Sequence, residues 1–362
     1  MRRPDGRNLL LLAVTVVLLG GGLELAFRLL EPRLGVDRQR LRDLRAHVAS
    51  GGAIAAHEPR PHVLYVRPTR LPGVNSQGFN DDEFVVARTP GRLRIACLGS
   101  STTEGGNPEG HEGSYPRQLQ HVLHERTGRE VEVLNFGMAG WTTAEEMVNY
   151  FLVVQDYAPD IVVIHEAAND VDPRRWPGFR TDYSHYRKPW GEFRYSLPYR
   201  LLVRWSDIFA ASQLRDPAAF DIQGVVVRAP YGSLLDAAAA FKPETAVAFR
   251  RNVETIGEHV RLRGGRVVLA TVPYDPAAVA TDVYRVGIDD NNRILRELAA
   301  RDGFTLADVD ARGRERKGGT HPFFLDLVHM TPEGNRFKAE VVADAILAAG
   351  LTEPAPPGQR MR

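Results

Sequence analysis

Apolar residues recur with two alternating spacings from residue 95 onward. Short runs rich in Val, Ile, Leu and Ala predict strands at 95–98, 131–136, 161–165, 267–272 and 304–309. Between these runs, one-sided apolar patterns predict helices at 115–126, 144–156, 243–263 and 288–301, and a last helix that Thr331 caps and Gly350 ends. Strand–helix alternation with crossovers of this length predicts an α/β fold, in which a parallel sheet carries helices on both faces.

The N-terminal pattern is different, because it is apolar all round. Arg2, Arg3 and Arg7 precede the uncharged stretch 8–23; Glu24 and Arg28 interrupt it, and apolar residues continue to Leu30. A spanning helix needs about 20 such residues, and no small-residue cleavage site follows the stretch. We therefore expect 1–30 to form a cytoplasmic stub and an uncleaved transmembrane anchor.

Orientation of this anchor follows less directly from the charges. Arginines after the predicted span outnumber those before it, which by the positive-inside rule argues against export of the body. Our expectation is nevertheless a single-pass anchor with the main domain periplasmic or otherwise extracytoplasmic.

Composition shifts divide the rest of the chain. Residues 31–90 predict a juxtamembrane stem, and 91–350 predict the main domain. Within that domain, 171–242 interrupt the alternation and are rich in aromatic residues and arginine, as expected of an inserted, cap-like segment. The insertion suits either a sugar-stacking surface or a small satellite core. The Pro-rich tail 351–362 predicts disorder.

Charge and cysteine content exclude several classes of function. The 362 residues carry a formal net charge of +1, so no basic field indicates a nucleic-acid partner. Cys97 is the only cysteine, so no intramolecular disulfide is possible. No His, Cys or Glu cluster has metal-ligand spacing, and no phosphate-binding glycine loop is present. The sequence predicts neither a metal nor another cofactor.

The stretch 94–105, which reads RIACLGSSTTEG, is the first candidate for chemistry. Its apolar strand stops at Gly99, and Ser100, Ser101, Thr102 and Thr103 follow. Such a strand delivers a serine to the carboxyl edge of the sheet, where open α/β sheets bind ligands. A serine nucleophile also needs a base and an orienting acid.

Asp326 and His329 are the strongest candidates for those two partners. They lie three residues apart, just before the helix that Thr331 caps. On a tight turn the carboxylate can hold the imidazole in the tautomer that leaves one nitrogen free for the serine proton. A lone Asp-x-x-His occurs by chance, so its position in the fold carries the argument.

Two further turns offer oxyanion donors. Gly140 follows the second predicted strand in a glycine-rich turn, and Asn169 follows the third in Ala-Ala-Asn-Asp. Both turns share the carboxyl edge with Ser101. Each alone would be an ordinary turn residue. Asp170 is expected to brace its loop, and His165 and Glu166 to be structural.

Taken together, these four blocks resemble the SGNH/GDSL hydrolase superfamily in residue type and order, from about residue 94 to 350. The stem residues 75–79 are similar to what precedes this block in membrane-anchored bacterial members. The resemblance implies a flavodoxin-like three-layer α/β/α sandwich with a mostly parallel five-stranded sheet. It also implies ester hydrolysis through an acyl-serine.

The resemblance assigns the site residue by residue. It makes Ser101 the nucleophile and an oxyanion donor through its own N–H. Gly140 and Asn169 match the other two oxyanion donors, and Asp326 and His329 match the acid and base. The chain departs from the family pattern at two positions, because Ser100 replaces the usual Asp and Ala167 replaces a Gly.

Three functions of different classes follow from this pattern. The first is a serine ester hydrolase acting on O-acyl groups, acetyl or lipid, of a small-molecule, lipid or glycan substrate. The second is an O-acyltransferase with the same residues, in which an alcohol replaces water. The third is an inactive relative used for binding or assembly, which retention of all the reacting groups disfavours.

Overall fold

The computed structural model describes residues 6–36, 38–49, 57–105, 110–188, 197–213, 227–228, 232–278, 282–316 and 318–352. The chain divides into two compact units, of which one is Met1–Ala55 with Pro189–Val226 and the other is Ala56–Lys188 with Val227–Arg362. The predicted disordered tail lies outside the described residues beyond 352. So do Trp190, Phe193 and Tyr195 of the insertion.

The larger unit contains a five-stranded parallel sheet of order β4-β3-β5-β6-β7 and a separate two-stranded antiparallel sheet, β1-β2. The strands are β1 (Glu58–Pro59), β2 (Tyr65–Val66), β3 (Leu93–Gly99), β4 (Val131–Gly137), β5 (Ile161–His165), β6 (Arg266–Ala270) and β7 (Thr305–Ala307). The predicted five-stranded parallel sheet is confirmed. In register, Gly99 lies opposite Gly137 and His165, so β3, β4 and β5 end at one level.

The α-helices follow the predicted alternation. In the described part of the chain they are α1 (Gly6–Leu34), α2 (Arg38–Ala49), α3 (Ser101–Glu104), α4 (Tyr115–Thr127), α5 (Thr143–Leu152), α6 (Val171–Arg175), α7 (Leu197–Trp205), α8 (Asp207–Gln213), α9 (Ala237–Ala240), α10 (Val247–Leu262), α11 (Asp282–Asp302), α12 (Val309–Arg314) and α13 (Pro332–Ala348).

The core lies between the sheet and α4 with α13 on one face. Leu119 and Val122 of α4 pack with Val342 and Ile346 of α13 against Cys97 and its strand neighbours, and all of these are buried. Helices α5, α10 and α11 cover the other face. All five residues of β5 are buried, because a central parallel strand is covered on both faces of its sheet.

Helix starts follow the local signals in the sequence. Thr142 and Glu145 form the capping box that their spacing predicts, and Thr331 Oγ1 accepts the Gly334 N–H at 3.2 Å. Several boundaries differ from prediction. Helix α5 ends at Leu152, where Val153 leaves the helical conformation with a φ of −133°, and a 3₁₀ turn, Val154–Tyr157, follows. Helix α11 begins at Asp282, six residues before the predicted start at 288.

The smaller unit contains the N-terminal helices α1 and α2 together with α7 and α8 of the insertion. Leu41 and Leu44 pack there with Val203 and Ala210. Polar contacts join the same segments, since Glu24 accepts the Ser206 hydroxyl at 2.9 Å. The inserted segment 171–242 is therefore divided between the two units, and none of its described residues joins the five-stranded sheet.

Within the part of the chain that is described, no helix combines the length and apolar character needed to cross a membrane. The transmembrane anchor predicted for 1–30 is not confirmed.

Candidate active site

Ser101 lies where β3 turns into the single-turn helix α3. Gly99 permits this turn, because a Cβ there would lie 2.1 Å from Thr103 Oγ1 and 2.5 Å from the His165 carbonyl oxygen. Any larger residue would force the strand end away from α3. Ser101 is the first residue of α3, and its backbone carbonyl accepts the N–H of Gly105, which ends the helix with a φ of 65°.

Asp326 and His329 lie on a closed loop before α13. The Leu325 N–H donates to the His329 carbonyl at 2.8 Å, and the loop ends pair through Phe324 and Met330. Asp326 Oδ1 accepts the backbone N–H groups of Val328 at 3.0 Å and His329 at 2.8 Å. These bonds fix the carboxylate inside its own turn.

The structure brings Ser101, His329 and Asp326 together in one hydrogen-bonded line. His329 Nδ1 lies 2.7 Å from Asp326 Oδ2, and His329 Nε2 lies 2.8 Å from Ser101 Oγ. With Nδ1–H donating to the carboxylate, the Nε2 lone pair faces the serine hydroxyl. This is the geometry that a nucleophile and its general base require.

Asp326 is held in its ionised form. Burial works to raise its pKa, but the hydrogen bonds from the His329 ring and from the His329 and Val328 N–H groups outweigh burial and lower the pKa to about 2. A permanent negative charge beside Nδ1 stabilises the imidazolium that forms when the ring takes a proton.

Gly140 and Asn169 meet at the same edge of the sheet. The turn that carries Gly140 is tied to β3 through Met138, whose N–H donates to the Gly99 carbonyl at 3.1 Å. Gly140 has a φ of 75°, which favours glycine. Asn169 Nδ2 donates to the Trp141 carbonyl at 2.8 Å, which fixes the amide against this turn with a second Nδ2 hydrogen still available.

An open cavity of about 290 Å³ lies beside the serine. Ser101, Asp326 and His329 line it together with Leu325 and Met330, and its other lining residues are Thr102, Gly105 and Asn335. The reacting groups are therefore accessible to a ligand, and the wall near them is partly apolar.

Glu104 is a supporting residue that sequence reasoning missed. It is buried, it forms an ion pair with Arg67, and its Oε2 accepts the Ala139 N–H at 3.0 Å. Tyr65 holds the same turn from the other side, since its hydroxyl donates to the Ala139 carbonyl at 2.8 Å and its carbonyl accepts Trp141 Nε1–H at 3.2 Å. No local signal in the sequence links residues 65, 67 and 104.

Arg187 is a second supporting residue that was missed. It is buried, it pairs with Glu145 at 3.0 Å, and its Nη2 donates to the Gly140 carbonyl at 2.7 Å. Arg187 belongs to the inserted segment, so part of that segment braces the Gly140 turn. Tyr183 of the same segment is also buried, as a satellite core predicts.

Other singled-out residues have structural contacts. Asp170 accepts the N–H and hydroxyl of Thr143 at 2.8 and 2.7 Å, and so braces its loop against α5. His165 is buried with Nδ1 3.2 Å from Thr103 Oγ1. A second Asp–His pair, which the sequence analysis did not single out, lies outside the site and joins His321 to Asp275 at 2.8 Å.

One group among the described residues brings possible metal-ligand atoms within 4.8 Å of one another, namely Asp81, Asp82 and His111. Arg117 contacts both carboxylates of this group, and Asp81 Oδ2 also accepts the Asn135 N–H at 2.9 Å. The carboxylates thus have a cation and a backbone donor from the protein.

Comparison with known proteins gives one family match. The model of the GDSL-like Lipase/Acylhydrolase family matches residues 97–337, and curated protein sequences give no match. Solved structures with related folds include a lipase/acylhydrolase from Enterococcus faecalis, which is 18% identical with a TM-score of 0.44 over 71% of this chain and 96% of that one. An acetyl xylan esterase from Geobacillus stearothermophilus is 15% identical with a TM-score of 0.45 over 72% and 97%.

Proposed function

Because this chain belongs to the GDSL-like lipase/acylhydrolase family and is a carboxylic ester hydrolase, we propose that it acts through an acyl-serine on Ser101. The main support for the proposal is the pair of hydrogen bonds that links Ser101 Oγ to His329 and His329 to Asp326. The intended substrate is an O-acyl ester of a small molecule, a glycan or a lipid.

Acylation begins when Ser101 Oγ attacks the ester carbonyl carbon and its proton passes to His329 Nε2. The carbonyl oxygen becomes an oxyanion, which the N–H groups of Ser101 and Gly140 and the Asn169 amide stabilise by donation. The bond to the leaving alcohol then breaks, and His329 Nε2–H returns the proton to the alcohol oxygen.

Deacylation repeats these steps with water. His329 takes a proton from water as its oxygen attacks the acyl carbon, and the second oxyanion occupies the same donors. Collapse releases the carboxylic acid and returns the proton to Ser101 Oγ. An alcohol in place of water would give acyl transfer with the same residues, so the two reactions differ only in the acceptor.

The cavity favours a short acyl group. Pockets that bury drug-sized ligands hold about 300–1,000 Å³, and the cavity here is about 290 Å³. Leu325 and Met330 provide limited apolar wall beside Ser101. Acetyl esters are therefore proposed over long-chain lipid esters.

A fluorophosphonate probe tests the nucleophile. Wild-type protein is expected to gain one probe mass, and Ser101→Ala is expected to gain none, as measured by intact-mass spectrometry. Ser100→Ala is the matched control and keeps the label, because the line to His329 starts at Ser101. An unlabelled wild type would refute the serine hydrolase, and a labelled Ser101→Ala would refute the nucleophile.

A series of aryl esters tests the acyl group. We expect kcat/KM to be highest for acetate and to fall with chain length, as measured by release of the phenol. Adding an alcohol acceptor and quantifying its acyl product measures the competing transfer reaction. Highest activity on octanoate or longer would contradict the short-acyl proposal.

A further inference from the structure

Glu166 is a buried acid that the mechanism above does not use. It follows β5 directly, is 0% exposed, and accepts the backbone N–H of Asn169 at 2.8 Å through Oε1. Asn169 is thus fixed at two points, by Glu166 at its backbone and by the Trp141 carbonyl at its amide. The carboxyl of Glu166 is one hydrogen bond away from an oxyanion donor.

The surroundings of Glu166 are acidic. Glu146 of α5 and Asp170 of its own loop interact with it electrostatically, and both are 0% exposed. Ser100, from the junction of β3 and α3, faces it too but makes no hydrogen bond of normal geometry. Within the described chain, Glu166 has no ion pair.

Arg187 and Asp170 already have other partners in this region. Arg187 pairs with Glu145 and donates to the Gly140 carbonyl, while Asp170 is held by Thr143 and by the Tyr183 hydroxyl at 2.6 Å. Both oxygens of Glu146 and Oε2 of Glu166 are buried without a hydrogen-bond partner. Three buried carboxyls that interact with one another and form no ion pair with the described residues cannot all ionise at neutral pH.

We propose that Glu166 is a positioning residue, whose protonated, uncharged form holds Asn169 in the oxyanion hole and whose ionisation in alkaline solution weakens that hole. The proposal rests on the function proposed above. A neutral carboxyl still accepts the Asn169 N–H through its carbonyl oxygen. An ionised one adds a buried negative charge behind a site that must stabilise an oxyanion.

The electrostatics of the cluster agree with this assignment. Burial and, to a smaller extent, Asp170 raise the pKa of Glu166 to about 8, although the Ser100 hydroxyl and the Asn169 and Ala168 N–H groups act to lower it. Burial and the neighbouring Glu166 raise the pKa of Glu146 as well. Glu166 is then mainly protonated at neutral pH and ionises near pH 8.

A pair of variants separates the charge from the hydrogen bond. Glu166→Gln keeps a neutral acceptor for Asn169, and Glu166→Leu removes the acceptor at similar size. In the wild type we expect kcat for aryl acetate to fall about tenfold per pH unit above pH 8, as the protonated fraction does. Glu166→Gln is expected to retain most of the neutral-pH kcat and to lose this alkaline fall.

Glu166→Leu is expected to lose about 100-fold in kcat at every pH, the size of an oxyanion-donor effect. Circular dichroism and fluorophosphonate labelling at Ser101 confirm that each variant is folded. An alkaline fall in Glu166→Gln equal to that of the wild type would overturn the proposal. So would a folded Glu166→Leu with wild-type kcat.

The pH dependence of Tm tests whether Glu166 carries a proton, independently of enzyme activity. The folded protein keeps a proton on Glu166 that the unfolded chain releases above about pH 4.5, so wild-type stability falls as pH rises from there to about 8. The Tm of Glu166→Gln relative to wild type should therefore increase over that range and level off above it. A flat difference in an active enzyme would refute the Glu166 proposal alone, whereas an inactive wild type would refute the proposed hydrolase and the positioning role with it.

Discussion

Two acidic groups of the proposed reaction centre have opposite environments. Asp326 lies on an accessible loop, with its side chain 55% exposed and three N–H donors from its own turn and from His329. Glu166 is fully buried, its Oε1 accepts the Asn169 N–H, and the carboxyls of Asp170 and Glu146 interact with it. The pKa is lowered to about 2 in the first and raised to about 8 in the second.

The difference shows what decides the charge of a carboxyl in this protein. Local N–H donors stabilise the ionised form of Asp326 and outweigh its partial burial. Glu166 is completely desolvated and its charged neighbours are negative, so its neutral form is the more stable one. In the proposed mechanism, Asp326 therefore supplies a permanent charge that orients His329, and Glu166 supplies an uncharged support for Asn169.

Removing the charge of Asp326 has the largest expected effect. Asp326→Asn should lower kcat/KM by about 10³–10⁴-fold, because the amide stabilises the wrong His329 tautomer and no imidazolium. Its free energy of unfolding should change by less than about 1 kcal/mol, since the pair is exposed. Aryl acetate kinetics and urea unfolding measure the two quantities.

A control is a second Asp–His pair, Asp275 with His321, for which the described part of the chain shows no contact with a serine; its Asp275 is buried, unlike Asp326. Asp275→Asn should keep kcat/KM within a few-fold of wild type. An equal loss of kcat/KM in Asp326→Asn and Asp275→Asn would mean that the Asp326 effect is structural, and it would contradict the role proposed for the Asp326 charge.

Removing one hydrogen-bond donor to Asp170 tests the buried carboxyl cluster around Glu166. Tyr183→Phe deletes the hydroxyl that donates to Asp170 at 2.6 Å and leaves a buried carboxyl oxygen short of a partner. We expect a loss of about 1–3 kcal/mol in the free energy of unfolding. Tyr274→Phe is the control, because its hydroxyl meets Asp289 in a part-buried position. A smaller loss for Tyr183→Phe than for Tyr274→Phe would argue against a strained acidic cluster.

The smallest expected effect is the change that Asp326 causes in the free energy of unfolding at acid pH. Because the folded pKa of Asp326 lies below its usual value, its stabilising contribution is complete above about pH 4 and is lost as pH falls toward 2. Exposure limits this contribution to less than about 1 kcal/mol. Urea unfolding of wild type and Asp326→Asn at pH 5 and pH 2.5 should show a smaller difference in free energy of unfolding at the lower pH. This contribution of Asp326 to stability rises with pH, whereas that of Glu166 falls.

Much of the architecture was predictable because its signals are local. The strand at Ile161–His165 was predicted to the residue, since four β-branched residues in a row lead into a polar loop. The Thr142 and Thr331 caps and the parallel sheet followed from spacing in the same way. The family resemblance is confirmed by the match over residues 97–337.

Boundaries and supports were harder to predict. The early start of α11 at Asp282 and the 3₁₀ turn after α5 depend on what packs against them, which periodicity does not report. Arg67, Glu104 and Arg187 act on the Gly140 turn from distant positions in the chain, and charged residues in loops are too common to single out.

By itself the sequence determined the fold class and singled out the candidate reacting groups, because residue type and spacing carry that information directly. Only the tertiary structure decided that Ser101 Oγ and His329 Nε2, 228 residues apart, lie 2.8 Å from each other. Tertiary structure also decided that Glu166 is enclosed with Glu146 and Asp170. Burial and the proximity of other charged groups depend on how the chain packs, and they determine whether an acidic side chain is ionised.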